Sequence, residues 1–383
     1  MNLREYPLIV VGSGLFGLTI AEVVTRRLGL KVIVIEKRAH IGGNAWSEIH
    51  QETGIEIHKY GSHLFHTSNE IVWNYLNNFS GFNQYQHRVW TNHQGRIYSL
   101  PVNLNTISSF FNQHLSPSDA IQLINSHRGE IVGTPRNLEE KAISMVGRPL
   151  YEALIRGYTL KQWDEDPRSL PTETISRLPV RFNFDNRYFQ DKWEGLPLTG
   201  YGQMLLNMVA NPLIEVVLET DFFDLYPLQL NNSQIIVYTG PIDRYFNYAY
   251  GHLNWRTLDF EFETHNTVDF QGTSVINYSD IEVPFTRIHE FRHLHPERNY
   301  KSDFTITAKE YSRRADIHDE PYYPVNSKED RSRLLNYREL ASKSKGVFFG
   351  GRLGTYQYLD MHMAVASALT LYKTQLEPIL QRS

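Results

Sequence analysis

The segment "PLIVVGSGLFGLTIAEVVTRRLGLKVIVIEK", Pro7 to Lys37, constrains the fold most. It reads as a buried strand, a glycine turn, an amphipathic helix and a second apolar strand, which is a βαβ unit. Gly12, Gly14 and Gly17 lie between strand and helix. Glycines there let backbone N–H groups approach a pyrophosphate at the helix N-terminus. Glu36 ends the next strand, nineteen residues after Gly17, where a carboxylate accepts from ribose hydroxyls. The ligand is FAD or NAD. "HIGGN", from His40 to Asn44, favours FAD, because a second glycine turn lets backbone close on the flavin side. There is no second dinucleotide fingerprint of the kind a reductase docking NAD(P)H usually carries.

Composition excludes several chemistries. The chain has no cysteine, so disulfides, cysteine-ligated zinc, iron–sulfur clusters and thiol nucleophiles are ruled out. Net charge is −4 without a basic run, which argues against nucleic acid as a partner. The apolar run before Gly12 is too short for a signal-peptide core, and no other run is long enough to span a membrane. A cytoplasmic protein without membrane insertion is expected.

"HTSNEIVWNYLNNF" has Thr67 and Glu70 in capping-box spacing, which predicts a helix start. "RVWTNHQGRIYSL" alternates around a turn and reads as a hairpin. Residues 104–163 read as helices. Ser116 is an N-cap followed by Pro117 at the first helical position; Gly147 stops one helix and Pro149 starts "PLYEALIRGYTLKQW". "DEDPRSLPTETISRLP" is a polar, proline-punctuated surface loop. From about 180 to 310, "VRFNFDNRYF", "IIVYTG", "WRTLDFEFE", "GTSVINYSD" and "DFTITAKEY" predict a large, mostly antiparallel sheet. "GYGQMLLNMVA" and "IEVVLETDFF" suggest a helix and strand returning to the first domain.

"HEFRH", His289 to His293, matches the H-E-x-x-H zinc motif literally. That motif needs a helix to put both histidines on one face. The flanking alternation predicts a strand, on which they stand ~13 Å apart, so no metal is expected. Tyr158 and Trp163 end a helix and could stack a base. Arg177 and Arg287, from distant segments, could clamp a diphosphate with bidentate hydrogen bonds. Aromatic residues make up 13% of the chain, with 23 tyrosines against 20 phenylalanines; that excess suits a cleft that stacks a ring and hydrogen-bonds at its rim.

Taken together, "VVGSGLFGLTIAE", "HIGGNAWSE", "YGSHLFHTSNE", "LYEALIRGYTLKQW", "SRLPVRFNFDNRYF", "VPFTRIHEF", "EYSR", "DEPYYP" and "GGRLGTYQYLDMHMAVASAL" resemble the bacterial UDP-galactopyranose mutase family over essentially the whole chain. The resemblance implies an α/β protein: a Rossmann-like FAD-binding domain (1–78, 200–245, 342–383), an inserted helical domain (101–170) and a mostly antiparallel β-sheet domain (79–100, 171–199, 246–341). The proline-rich loop at 165–178 is expected to be mobile and to close as a lid that carries Arg177 inward. It implies a redox-neutral interconversion of UDP-galactopyranose and UDP-galactofuranose, in which N5 of the reduced FAD bonds to the anomeric carbon. The product would serve cell-envelope glycans. By the same resemblance FAD is held by Phe16, Glu36, Asn44, His63, Leu64, Arg352, Tyr358, Leu359, Asp360 and Met361 with the Gly12–Gly14–Gly17 turn. Arg177, Arg287, Tyr358, His63 and His66 are implied as catalytic. His87, Leu154, Tyr158, Thr159, Trp163, Tyr188, Arg256, Asn277 and Tyr323 are implied at the substrate. His87 stands where relatives have asparagine, and Leu154 and Ile155 replace a pair that is often aromatic. A homodimer is also implied. The alternative is a flavin-dependent oxidase or dehydrogenase of an amine or a sugar.

Overall fold

The computed structural model describes residues 3–129, 131, 133–176, 178–225 and 234–381. Its first sheet is five-stranded and parallel throughout. The order is Val347–Phe349, Ile235–Tyr238, Leu8–Val11, Val32–Ile35 and Ile214–Val217. Its two central strands and Ile235–Tyr238 are buried at every position, as expected when both faces of a parallel sheet are covered. Side chains alternate between two cores. Leu8, Val10, Val32 and Val34 pack with the helix Leu15–Leu28, whereas Ile9, Val11, Ile33 and Ile35 pack with Phe222 and Tyr238.

The second sheet has seven strands, in the order Tyr323–Pro324, Trp255–His265, Thr305–Arg314, Arg287–Glu290, Val275–Tyr278, Val89–His93 and Arg96–Leu100. All its ladders are antiparallel except Val275–Tyr278 with Val89–His93. The helices Leu104–Phe111, Pro117–Ser126 and Leu138–Val146 build a third core with the run from Arg148 to Trp163. That run contains one π-helical stretch, Tyr151–Arg156. The expected architecture is therefore present. Among the described residues, no helix is long and apolar enough to cross a membrane.

Local expectations fail in three places. The helix Glu70–Leu76 is capped by Asn69, whose side chain accepts from the N–H groups of Ile71 and Val72; Thr67 lies in a strand two residues earlier. "IIVYTG" supplies a strand to the parallel sheet, not the antiparallel one. "VRFNFDNRYF" forms no strand. Its polar side chains take over the backbone bonding instead: Asn183 accepts from the N–H of Asp185, Asp185 accepts from that of Arg187, and Arg181 donates to the carbonyls of Asp185 and Arg187.

Candidate active site

The cofactor side is a cavity of about 820 Å³ above the parallel sheet. Its floor is backbone. Gly12 has φ +95°. A Cβ on Gly17 would overlap the carbonyl oxygen of Gly12, so this glycine seats the helix on its strand. Gly14 has open space where a Cβ would be, and as N-cap it leaves the helix N-terminus without a side-chain cap. Free N–H groups and the helix dipole there suit an anion.

Glu36 is buried, accepting from Ser13 N–H at 2.8 Å, Ser13 hydroxyl at 2.7 Å and Arg38 N–H at 2.9 Å. Three donors still leave acceptor capacity on the carboxylate. Arg38 donates to Asn44 and Glu320, and its Nη1 is buried with no protein partner. An orphaned donor lining a dinucleotide-sized cavity fits a cofactor oxygen.

The far wall comes from the C-terminal segment. Gly351, Arg352, Leu359 and Met361 line the cavity, but Leu64 and Asp360 do not. Arg352 donates to the carbonyls of Tyr322 and Leu359, and its guanidinium lies 4.9 Å from the ring centre of Tyr358 and 5.8 Å from that of Tyr323. Gly350 faces the ring of Phe16, leaving no room for a Cβ. The helix Met361–Leu371 begins at this wall, and Asp360 at its N-cap makes no capping bond.

The second side is built on the antiparallel sheet. Arg287 and Glu310 are direct cross-strand partners, and Asn277 is opposite Arg287 on its other flank. The guanidinium lies 3.2 Å from the Glu310 carboxylate and donates to the Tyr158 hydroxyl. Burial alone would raise the Glu310 carboxyl; Arg287 and His289 overcome it and hold it at about 2. Burial pushes the Tyr158 phenol up to about 12, against the pull of Arg287. The Asn277 amide oxygen is buried without a protein partner. A cation, a phenol and an orphan acceptor thus share one spot.

Tyr158 reaches that spot because Gly157 packs against the Ser279 carbonyl, where a Cβ would overlap. One turn on, Lys161 donates to the carbonyls of Tyr278, Asp280, Val283 and Phe285 at 2.7–2.9 Å. Helix and loop are thereby splinted together.

His63, His66 and His87 lie between the two sides. His63 lines the cavity, and its Nδ1 donates to the Gly61 carbonyl at 2.8 Å. Burial lowers it to about 4, so it is neutral and keeps Nε2 as an acceptor. His66 meets Asp191 at 2.6 Å and stacks face to face on Phe189. Burial, then Arg287, lowers His87 to about 3; its Nδ1 meets the Tyr85 hydroxyl at 3.0 Å, and the Tyr188 ring packs edge-on against it.

The settings of other expected residues differ. Leu154 is buried in the helical core beside the half-buried Trp163. Arg256 is 2% exposed and is spent on the carbonyls of Lys161 and Gln162, the Ser312 hydroxyl and Asp164; it is a strut rather than an open cation. Thr159 is buried on the same helix as Tyr158. Arg177 lies outside the described residues. In "HEFRH", the strand ends at Glu290 and a 3-10 turn follows. His289 pairs with Glu310, while His293 pairs with Asp269 and Glu290. Residues that sequence reasoning missed include Ser62, Asp191, Phe189 and Glu310; only the strand register pairs Glu310 with Arg287.

The fold and these two sides define a protein of the Rossmann-like dinucleotide-binding class with a buried polar cluster on its second sheet. A family model described as UDP-galactopyranose mutase matches residues 153–358, and one for an NAD(P)-binding Rossmann-like domain matches residues 10–79. The chain is 40% identical to a probable UDP-galactopyranose mutase of Klebsiella pneumoniae, covering 94% of this chain and 92% of that protein. It is 39% identical to the dTDP-fucopyranose mutase of Escherichia coli, covering 94% and 96%. A crystal structure of reduced UDP-galactopyranose mutase shares the fold, with TM-score 0.73, 16% identity and coverage of 97% and 96%. The chain belongs to the UDP-galactopyranose mutase family, whose members are isomerases.

Proposed function

We propose that this chain interconverts UDP-galactopyranose and UDP-galactofuranose on a bound, reduced FAD. The observation that carries the reading is the cluster of Arg287, Tyr158 and Asn277 beside a dinucleotide cavity. Arg287 stays protonated, so it offers fixed positive charge to a diphosphate both before and after the sugar leaves it. The Asn277 oxygen gives a substrate donor somewhere to bond. His63 and His87 are neutral near pH 7 and orient without adding charge. A reduced flavin, when bound, supplies the nucleophile at N5 that lets a sugar ring contract with no net redox change.

Arg177 is proposed as a second diphosphate cation, and Tyr323, Tyr358 and Tyr188 as the ring of hydroxyls around it. The family relative named for dTDP-fucopyranose makes a dTDP-6-deoxysugar the second reading. The test incubates dithionite-reduced protein with UDP-galactofuranose and, separately, with dTDP-fucofuranose, and looks for each pyranose by chromatography. Faster conversion of the UDP sugar is expected, with none by the oxidised protein. Conversion of the dTDP sugar alone, or oxygen consumption in place of isomerisation, overturns the reading.

A further inference from the structure

The Glu310 carboxylate has three partners. One oxygen faces Arg287 and accepts from the Thr286 hydroxyl at 3.2 Å; the other meets Nε2 of His289 at 2.9 Å. His289 is 1% exposed, and its Nδ1 meets the Ser62 hydroxyl at 2.8 Å. Ser62 lies between Gly61, whose carbonyl holds His63, and His63 itself at the cofactor cavity. A continuous path therefore runs from Tyr158 to Arg287 by a hydrogen bond, from Arg287 to Glu310 by an ion pair, through His289 to Ser62 by hydrogen bonds, and along the backbone to His63.

Its proton order is determined. The Glu310 carboxylate can only accept, so Nε2 of His289 carries the hydrogen. The neutral ring then accepts at Nδ1, and the Ser62 hydroxyl donates. The 61–63 turn needs a glycine at its start. Gly61 is left-handed at φ +84°, and a Cβ there would press the Phe260 ring at 3.0 Å.

We propose that Ser62 and His289 are positioning residues that couple occupancy of the Arg287 site to the turn presenting His63 to the cofactor. This rests on the diphosphate-and-flavin reading above. An anion at Arg287 competes with Glu310 for the guanidinium. Glu310 then leans harder on the His289 N–H, the ring becomes a better acceptor at Nδ1, and the Ser62 bond tightens, since hydrogen bonds in series polarise one another. The signal arrives at His63 as a change in placement, without any proton crossing the chain.

The experiment titrates FAD-loaded wild type, Ser62→Ala and Ser62→Thr with UDP. Binding is followed by calorimetry and the cofactor by its visible difference spectrum. Wild type should show a flavin spectral change that saturates with UDP. Ser62→Ala should bind UDP within about threefold of wild type yet show about half the spectral change or less, and Ser62→Thr should restore it. In turnover Ser62→Ala should lower kcat about tenfold with KM unchanged. Should Ser62→Ala lose FAD, His289→Gln carries the same test, because its amide nitrogen can still donate to Glu310 while no atom remains at the Nδ1 position to accept from Ser62. A full spectral change in the severed variants, or none in wild type that binds UDP, overturns the coupling. Isomerisation without a spectral change defeats the coupling alone. A coupled spectral change without isomerisation defeats only the functional reading, and absence of UDP binding defeats both.

Discussion

The two sides of the site are made of different material. The cofactor floor is mostly backbone: Gly12, Gly14 and a helix N-terminus, with the Glu36 carboxylate, while Gly17 seats that helix on its strand. The opposite side is made of side chains brought together by strand register, with Asn277, Arg287 and Glu310 in neighbouring strands and Tyr158 from an inserted helix. The first fails when space is filled, the second when a functional group is removed.

The sharpest way to break this contrast is a pair of variants. Arg287→Ala should leave FAD content intact and lower kcat/KM by about 10²–10³, the usual consequence of losing one preorganised donor to developing charge. Gly17→Ala should do the reverse in kind. Its methyl collides with the backbone oxygen of Gly12, so the helix must shift and FAD should be lost, with destabilisation of about 1–3 kcal/mol. Absorbance of bound flavin and steady-state kinetics on both proteins check it. Loss of FAD by Arg287→Ala would show that the two sides are one unit.

The same contrast explains what could be read from the sequence. The cradle was legible because glycine spacing, strand and helix are all local, and its contact rule is steric. "EYSR" and "PFTRIHEF" could be quoted but not joined, since the pairing of Glu310 with Arg287 is a matter of register across residues 287–310. The setting of Arg256 is non-local for a related reason. Its burial and its four protein partners come from segments far apart in the chain. "VRFNFDNRYF" alternated like a strand, yet its Asn and Asp side chains bond their own backbone.

A smaller effect sharpens the side-chain half. Lys161 bonds four carbonyls of the 278–285 loop, which runs from the end of the Asn277 strand to the start of the Arg287 strand. Lys161→Met leaves those carbonyls to whatever water can reach them. A loss on the order of 2 kcal/mol is expected, visible as a lower urea midpoint, with KM for the nucleotide sugar rising and FAD content unchanged. An unchanged midpoint would mean the loop holds itself.

The narrowest effect is one of pH, and it concerns a single ring. His87 is held neutral in the fold, lowered to about 3 by burial and by Arg287, whereas in the unfolded chain it titrates near 6.5. A depressed histidine makes the unfolded state bind more protons between those values, so stability rises with pH there. The contribution is complete above about 6.5 and is lost as pH falls toward 3, at roughly 1.4 kcal/mol per pH unit for this one group. His87→Asn, which puts a non-titrating amide in its place, should flatten the fall in stability between pH 6.5 and 5 by about that slope, measured by urea denaturation at each pH. The glycines of the floor cannot do so, whereas His63 at the cofactor cavity, lowered to about 4 by burial, adds a fall of its own that His87→Asn leaves in place. An equal slope in wild type and His87→Asn would show that His87 is solvated in the folded protein, and that the sugar side is wetter than its packing against Tyr85 and Tyr188 indicates.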